Sequence, residues 1–253
     1  MIALQITNLT IKQCSQIKPL LSGLSLTIKK GEVLGIIGTS GSGKSVLINA
    51  LMGILSPTFE LSGSIKYDEE TRISLVPQSV EALNPTTKIG DQLSQFDPHK
   101  KWYRSKNKML INSALSQAQL PSVVAERYPY QLSGGMAKRV MSALAFIQDT
   151  DIIIADEPSC GVNDEFAHPL FQHYASLAHG PKKKAIIMVS HDLKHVIGIA
   201  DRILVLQSTA NSNALSIIEH TTPNEIKQGS SQCYSQALWQ ALPEHWSHHD
   251  SLN

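Results

Sequence analysis

The sequence predicts an α/β fold with a parallel sheet at its centre. Three apolar runs, at residues 151–155, 184–189 and 202–206, are continuous rather than alternating, which is typical of parallel strands buried on both faces. Candidate helices separate these runs, and a regular alternation of strand and helix places successive strands in one parallel sheet. A glycine-rich segment at residues 38–45 lies between a further apolar run and a helix, which indicates a binding loop at one edge of the sheet.

The first part of the chain is predicted to be rich in strands. Residues 2–12 and 24–29 alternate with the period of two that a half-buried strand requires, and Ser22-Gly23 and Lys30-Gly31 are predicted turns. A helix is expected to begin within residues 46–52. The predicted strands are residues 2–12, 24–29, 32–37, 62–67 and 73–76.

The middle of the chain, from about residue 80 to 149, has a helical pattern. Residues 110–115 show helical spacing of apolar side chains, and residues 136–146 are rich in helix-forming residue types. Residues 97–109 are polar and basic, and we expect a solvated loop or the start of a helix there. An inserted helical region between two strand-rich parts therefore follows from the pattern.

Composition excludes several classes of protein. The 253 residues carry a formal net charge of +1, which gives no reason to expect non-specific nucleic-acid binding. The three cysteines show no CxxC spacing, so neither a disulfide framework nor a zinc site is indicated. The sequence shows no signal peptide and no apolar run near the ~20 residues that a membrane span needs. We therefore expect a cytosolic chain that reaches a membrane only through a partner.

The glycine-rich segment matches G-x-x-x-x-G-K-[ST], a phosphate-binding loop, and its neighbouring strand and helix argue against a simple flexible turn. Backbone N–H groups of such a loop, and the helix that Val46 continues, attract anions. Lys44 is expected to reach the β- and γ-phosphates of a nucleotide, and the Ser45 hydroxyl to ligate Mg²⁺. The loop residues are Gly38, Thr39, Ser40, Gly41, Ser42, Gly43, Lys44 and Ser45.

Two carboxylates, Asp156 and Glu157, end the run at 152–155. Ligands of α/β proteins bind beyond the carboxyl ends of parallel strands, so this position favours a site over two solvent-exposed acids that merely end a strand. Asp156 would help to hold Mg²⁺, and Glu157 would be free to polarise a water.

Three further segments of the chain have weaker signals. Ser133 is a natural N-cap for the helix that follows, and Gly134 and Gly135 would let a phosphate or another backbone approach its start. Gln78 follows a strand and Pro77, and His191 follows the run at 184–189, where contact with a γ-phosphate is geometrically plausible.

Together these residues resemble the ATP-binding cassette (ABC) family of transporter ATPases. The resemblance rests on the Walker A loop at 38–45, the Q-loop at Gln78, the signature at 132–136, the Walker B run at 152–157 and the switch His191, and it extends to about residue 225. It implies a P-loop NTPase (RecA-like) core with a parallel sheet, an antiparallel β subdomain and an inserted α-helical subdomain.

The resemblance also implies a domain plan. Residues 1–225 would form one nucleotide-binding domain, with a core at 1–80 and 150–225 and a helical subdomain at about 81–149. Residues 226–253 would form a C-terminal extension with a loosely ordered end. The helical subdomain would dock on a permease and convert closure of the cassettes into opening of the transport path.

ATP and Mg²⁺ are the implied cofactors, with ATP sandwiched between two cassettes arranged head to tail. Ser45, Gln78 and Asp156 would organise Mg²⁺, the last directly or through water, while Lys44 and the loop amides hold the phosphates. Glu157 would be the general base.

The remaining implied roles concern closure of the site. His191 would contact the γ-phosphate. Ser133, Gly134 and Gly135 would close on ATP bound to the opposite subunit.

Residues 76–85, 89–93 and 128–136 look like the peptide/nickel importer branch of the family. This likeness implies two permease subunits, a second ATPase that is a sister chain or otherwise a copy of this one, an external binding protein, and a position at the cytoplasmic face of the cell membrane. Because the chain is short and without a cysteine-bearing extension, nickel or another metal chelate is the expected cargo, with dipeptide import as the alternative. A poorly hydrolysing regulatory subunit and a non-transport cassette ATPase stay open.

Three features depart from the family pattern. Asn163 stands where an Asp is usual, with Asp164 one residue later, so coupling between two ATP sites is altered or the loop is shifted by one residue. Residues 1–58 contain no aromatic, so adenine is expected to rest on an aliphatic side chain such as Ile11. The end of the chain carries His245, His248 and His249, which we interpret as a solvated terminus, with a metal-sensing tail as the alternative.

Overall fold

The computed structural model describes residues 1–38, 43–68, 70–98, 107–191, 193–208, 215–229 and 233–241. These residues form nine strands and eight helices, with short 3-10 turns at Val80–Ala82, Ser122–Glu126 and Pro129–Gln131. The strands are β1 Ile2–Gln13, β2 Leu21–Lys29, β3 Val33–Gly38, β4 Phe59–Tyr67, β5 Ile73–Val76, β6 Ile152–Asp156, β7 Ala185–Ser190, β8 Arg202–Ser208 and β9 Leu215–Thr221. The helices are α1 Lys44–Leu51, α2 Ile89–Gln95, α3 Lys108–Gln117, α4 Gly134–Ile147, α5 Asp164–His179, α6 Leu193–Ile197, α7 Pro223–Lys227 and α8 Cys233–Gln240.

The chain divides into two compact units, which we name by the motifs they carry. The signature unit comprises Met1–Ala3, Ile28–Glu32 and Tyr67–Met188. The P-loop unit comprises Leu4–Thr27, Val33–Lys66 and the described part of Val189–Asn253. Within the described residues, none of the helices is both long and apolar enough to cross a membrane.

The P-loop unit is built on strands in the order β4-β1-β2-β9-β8-β3. β3 is buried at every residue and pairs in parallel with β8, while β8 pairs antiparallel with β9. A Cβ built on Gly35 of β3 would lie 2.4 Å from Cγ1 of Val196 in α6. Only glycine therefore fits at residue 35, and α6 packs directly against the strand that leads into the phosphate-binding loop.

The signature unit contains strands in the order β7-β6-β5. β5 and β6 are parallel, with Ile73 opposite Ile152 and Val76 opposite Ala155. Because parallel strands in this register end together, the residues after Val76 and the carboxylates after Ala155 come to the same edge of the sheet.

Helices α4 and α5 pack together through a small aromatic core. The hydroxyl of Tyr174 donates a 2.8 Å hydrogen bond to Oγ of Ser142, and both residues are fully buried. The ring of Phe146 meets the rings of Tyr174 and His173 edge to face, at centroid distances of 5.0 and 4.7 Å. This core holds α4, the signature helix, against α5.

The sequence predictions of strands are confirmed with small shifts in their ends. The helix after the glycine loop begins at Lys44, two residues earlier than expected, because Gly43 takes φ 76° and serves as its N-cap. In the basic segment a helix begins at Lys108, and Asn107 caps it through its side chain. Residues 99–106 of that segment lie outside the described residues.

Candidate functional site

The phosphate-binding loop starts at Gly38, the buried last residue of β3. Nζ of Lys44 donates a 2.7 Å hydrogen bond to the carbonyl oxygen of Gly38, so the lysine side chain links the two ends of the loop. Gly43 supplies the left-handed turn that joins the loop to α1. Thr39, Ser40, Gly41 and Ser42 lie outside the described residues.

The start of α1 suits an anion. Ser45 is exposed and Val46 half-buried, and the first turn contains no acidic side chain that would oppose the helix dipole. The opposite side of the helix is anchored in the core through Leu47, Ile48, Ala50 and Leu51. Ser45 is thus exposed at the start of a helix that is held in the core, next to Lys44 in the chain.

The two carboxylates at the end of β6 are buried, with exposed fractions of 8% for Asp156 and 4% for Glu157. Glu157 has φ 52°, in the left-handed region that glutamate seldom adopts. Such a conformation costs about 1 kcal/mol or more, and strained backbone of this kind concentrates at functional sites. The sheet edge therefore holds a buried carboxylate pair at a strained turn.

Gln78 is exposed and follows β5 at the same sheet edge as the two carboxylates. Its backbone is held by Lys138 of α4, whose Nζ donates to the carbonyl oxygens of Gln78 and, at 3.4 Å, of Pro77. Burial lowers the pKa of the Lys138 ammonium, while the nearby charges of Cys160, Asp156 and Glu157 oppose that shift. The sequence analysis missed Lys138, although at helical spacing the other residues on its face of α4 are small or apolar, namely Gly134, Met141 and Ala145.

The signature residues open α4 as expected. Oγ of Ser133 accepts a 3.2 Å hydrogen bond from N–H of Met136, which confirms the predicted N-cap. Space around Gly134 is open, whereas Gly135 packs against the carbonyl oxygen of Gly161 in the loop after β6. Gly134 is therefore accessible to an approaching group, and at Gly135 the unit leaves no room for a side chain.

The loop between β6 and α5 carries one of the departures from the family pattern. Asn163 is the N-cap position of α5, with φ −63° and ψ 146°, but its side chain makes no capping hydrogen bond. Asp164 is the first helical residue. His191 is exposed and directly follows β7, as predicted.

The expectation for Ile11 is wrong. Its side chain is fully buried on β1, so it offers no surface on which an adenine could rest. The alternation of β1 places Ile11 among the apolar residues of the strand, and these are the ones that the fold buries. The terminal histidines His245, His248 and His249 lie outside the described residues.

Ser45 and Asp156 each offer the kind of oxygen that suits a magnesium ion bound together with a nucleotide. In the part of the chain that the structure describes, no group of three or more His, Cys, Asp or Glu side chains could hold a metal ion. Mg²⁺ in nucleotide sites needs only one or two protein oxygens, since phosphates and waters complete its shell. The Ser45 hydroxyl and the Asp156 carboxylate are oxygen donors of this kind.

A family model described as ABC transporter matches residues 21–160. The chain belongs to the ABC transporter family. It is accordingly an ATPase coupled to transport, and ATP and Mg²⁺ are its cofactors. The α/β class with P-loop core that the sequence predicted is confirmed.

Two curated relatives of this ABC cassette illustrate the match. The oligopeptide transport ATP-binding protein OppD of Lactococcus lactis subsp. cremoris (strain SK11) is 31% identical, over 87% of this chain and 69% of the relative. The metal-staphylopine import system ATP-binding protein CntD of Staphylococcus aureus (strain Mu50) is 28% identical, over 98% of this chain and 97% of the relative.

Solved structures support the fold of the cassette. The dimeric structure of MJ0796, a bacterial ABC transporter cassette, superposes with a TM-score of 0.73 at 23% identity, over 87% of this chain and 98% of that one. An inward-facing putative metal-chelate type ABC transporter superposes with a TM-score of 0.69 at 21% identity, over 89% and 85% of the two chains.

Proposed function

We propose that this cassette energises an importer that carries nickel or another metal chelate, or a di- or oligopeptide, across the cytoplasmic membrane. The relatives' names support this class of cargo, since one is an oligopeptide transport protein and the other a metal-staphylopine import protein. The match to the metal-staphylopine protein spans almost the whole length of both chains, which supports a metal chelate first.

The residues of the phosphate-binding loop would hold the nucleotide. Lys44 would place its ammonium on the β- and γ-phosphates, exchanging its bond to Gly38 for them, and the loop amides would add donors. Ser45, Asp156 and Gln78 would hold Mg²⁺, which when bound neutralises the charge that develops on the phosphates.

Hydrolysis would depend on Glu157, and its geometry is the observation that carries the proposal. The carboxylate is buried at the end of β6 on a left-handed backbone, one residue beyond Asp156. From there it would accept a proton from the attacking water, while His191 would donate a hydrogen bond to the γ-phosphate. The catalytic gain would come from positioning and from preorganised charge.

A second cassette, two permeases and a binding protein would complete the transporter complex. Ser133, Gly134 and Gly135 would close on the ATP of a second cassette, which we expect to be a sister chain and otherwise a copy of this one. Open space around Gly134 supports such an approach. Two integral-membrane permeases and an external binding protein would provide the path and the cargo, and the chain would lie on the cytoplasmic face of the membrane. The domain plan of a core with a helical subdomain at about 81–149 stays part of this proposal.

The catalytic assignment is tested by Glu157→Gln in the purified cassette. We expect turnover to fall by about 10²–10⁴-fold, the usual contribution of a general base, while ATP binding persists. Glu165→Gln is the matched control, because Glu165 is an exposed glutamate in the first turn of α5. Unchanged turnover in Glu157→Gln rules out this base.

The transport assignment is tested by affinity purification of the tagged chain from gently solubilised native membranes. We expect two multi-span permeases and a second cassette to co-purify. The associated binding protein can then be titrated with nickel, metal chelates and dipeptides to decide the cargo. Recovery of the chain alone, or with ribosomes or DNA, would contradict the importer.

A further inference from the structure

Lys138 places a charged group inside the signature unit. Only 3% of its surface is exposed, although lysine is among the residues least often buried. Within the described residues, its ammonium donates to two backbone carbonyl oxygens of the Q-loop, those of Pro77 and Gln78. A buried ammonium that binds main-chain oxygens fixes the course of a loop, because a backbone carbonyl moves only with its chain.

The helix that carries Lys138 is itself firmly held at its start. Gly135 packs against the carbonyl oxygen of Gly161. The guanidinium of Arg139 donates to the carbonyl oxygens of Gly135 and Gln119 and lies 4.2 Å from the centre of the Phe166 ring. The first turns of α4 therefore form a fixed base from which Lys138 reaches across to the Q-loop.

Lys138 also lies close to the signature in sequence. It follows Ser133 by five residues on the same helix, so little more than one helical turn separates the N-cap from the ammonium-bearing residue. The exposed side chain of Gln78 is attached to the backbone that Lys138 holds. The Lys138 side chain thus connects the backbone of Gln78, which is assigned to Mg²⁺, to α4, whose first residues are assigned to the ATP of the opposite subunit.

We propose that Lys138 is a positioning residue that holds the Gln78 backbone in register with the signature segment at 133–135. The proposal rests on the function proposed above, which gives Gln78 and the signature their roles. When MgATP binds at the chain's own site and Gln78 shifts, the hydrogen bond from the Lys138 ammonium moves α4 with it. Through the same bond, a movement of the signature segment shifts the backbone of Gln78.

Hydrogen–deuterium exchange of the full chain tests the link directly. The N–H groups of Glu81 and Leu83 are hydrogen-bonded within the Q-loop segment, so their exchange reports its order. In Lys138→Met, we expect exchange across residues 78–83 to rise by about tenfold or more, since a hydrogen bond to a charged group is lost. Exchange within β6 and the second half of α4 should not change. Lys138→Arg keeps a charged donor and should restore most of the protection.

Lys184→Met is the matched control. Lys184 is 5% exposed, and its Nζ also donates to a backbone carbonyl oxygen, that of Thr150. It lies before β7, and Thr150 lies before β6, at the amino ends of these strands. The control therefore removes the same kind of buried bond, together with a 3.8 Å ion pair to Asp149, without touching the Q-loop. Residues 78–83 should exchange as in the parent chain.

A functional readout separates positioning from general packing. Removal of the Lys138 ammonium takes a positive charge away from Asp156, which by itself would strengthen Mg²⁺ binding, so weaker Mg²⁺ binding reports a displaced Gln78. In Lys138→Met, we expect the Mg²⁺ concentration for half-maximal ATP hydrolysis to rise several-fold, with ATP affinity measured without Mg²⁺ unchanged and the arginine variant close to the parent. Lys184→Met should leave the Mg²⁺ dependence unchanged. If Lys138 only stabilised the fold, Lys138→Met would lower the free energy of unfolding without changing the Mg²⁺ dependence.

Three results overturn the proposal: unchanged exchange at 78–83 in Lys138→Met, a uniform rise that includes β6 and α4, or the same local rise in Lys184→Met. The exchange experiment needs no hydrolysis, so it decides the proposal separately from the assigned function. If the parent chain proved unable to hydrolyse ATP, that function would fail, while exchange would still report whether Lys138 holds the loop.

Discussion

Gly135 and Gly161 approach each other so closely that a Cβ added to Gly135 would lie 2.9 Å from the Gly161 carbonyl oxygen. We expect Gly135→Ala to lower the free energy of unfolding by about 1–3 kcal/mol, because overpacking forces backbone to move. Urea denaturation measures the change.

Gly134→Ala is the natural comparison, because a Cβ there meets nothing within 4 Å. Alanine favours the helix over glycine, so Gly134→Ala should leave stability unchanged or raise it by up to about 1 kcal/mol. Equal destabilisation by both substitutions would show that the helix start, rather than the contact with Gly161, controls the result.

The cap of the signature helix gives a second prediction. Ser133→Ala removes the acceptor for N–H of Met136 and should cost about 1 kcal/mol of stability. Ser133→Thr retains the hydroxyl and should recover most of that loss. Thermal or urea unfolding of the three proteins measures it. A threonine variant as unstable as the alanine variant would contradict a capping role.

The buried hydrogen bond between Tyr174 and Ser142 should show coupling in a double-mutant cycle. Either Tyr174→Phe or Ser142→Ala leaves a polar partner without its bond in the core and should cost about 1–3 kcal/mol. The double variant should cost less than the sum of the two, by about 1 kcal/mol. Strict additivity would mean that the bond contributes nothing beyond packing.

His173 should make the stability of the fold depend on pH. Its Nε2 is buried and has no hydrogen-bond partner among the described residues, and burial lowers the pKa of the ring from the ordinary value of 6.5. The unfolded chain therefore binds a proton more readily than the folded one. The contribution of neutral His173 to the free energy of unfolding is therefore fully present above about pH 6.5, the ordinary pKa, and is lost as the pH falls below it.

Urea denaturation between about pH 7.5 and pH 5.5 measures this loss. His173→Phe keeps an aromatic ring against Phe146 and should flatten the profile. The control, His179→Gln, alters an exposed histidine in the last turn of the same helix and should keep the parent slope. A steep profile that persists in His173→Phe would assign the pH effect to other groups.

Much of this architecture could be predicted because it depends on short-range pattern. The apolar runs that became β6, β7 and β8 need no knowledge of their partners, since burial on both faces leaves a continuous signature. Ser133 is recognisable as a cap from its own chemistry and its position before a helix.

What the sequence did not reveal depends on long-range geometry. α2 is only seven residues long and β9 follows a polar segment, so neither stands out as a periodic element. The bond from Lys138 to Gln78 joins residues 60 positions apart, and no local pattern encodes such a contact.

The left-handed backbone at Glu157 has a consequence for descent. Asparagine and glycine adopt that conformation with less strain, so the folded chain alone would favour them there. In a lineage that no longer needs ATP hydrolysis, we expect asparagine or glycine to replace Glu157. Either replacement would relieve the backbone strain, and the loss of the catalytic carboxylate would no longer be selected against. Among cassettes descended from this chain, the residue at position 157 should therefore distinguish those that hydrolyse ATP from those that have lost the activity.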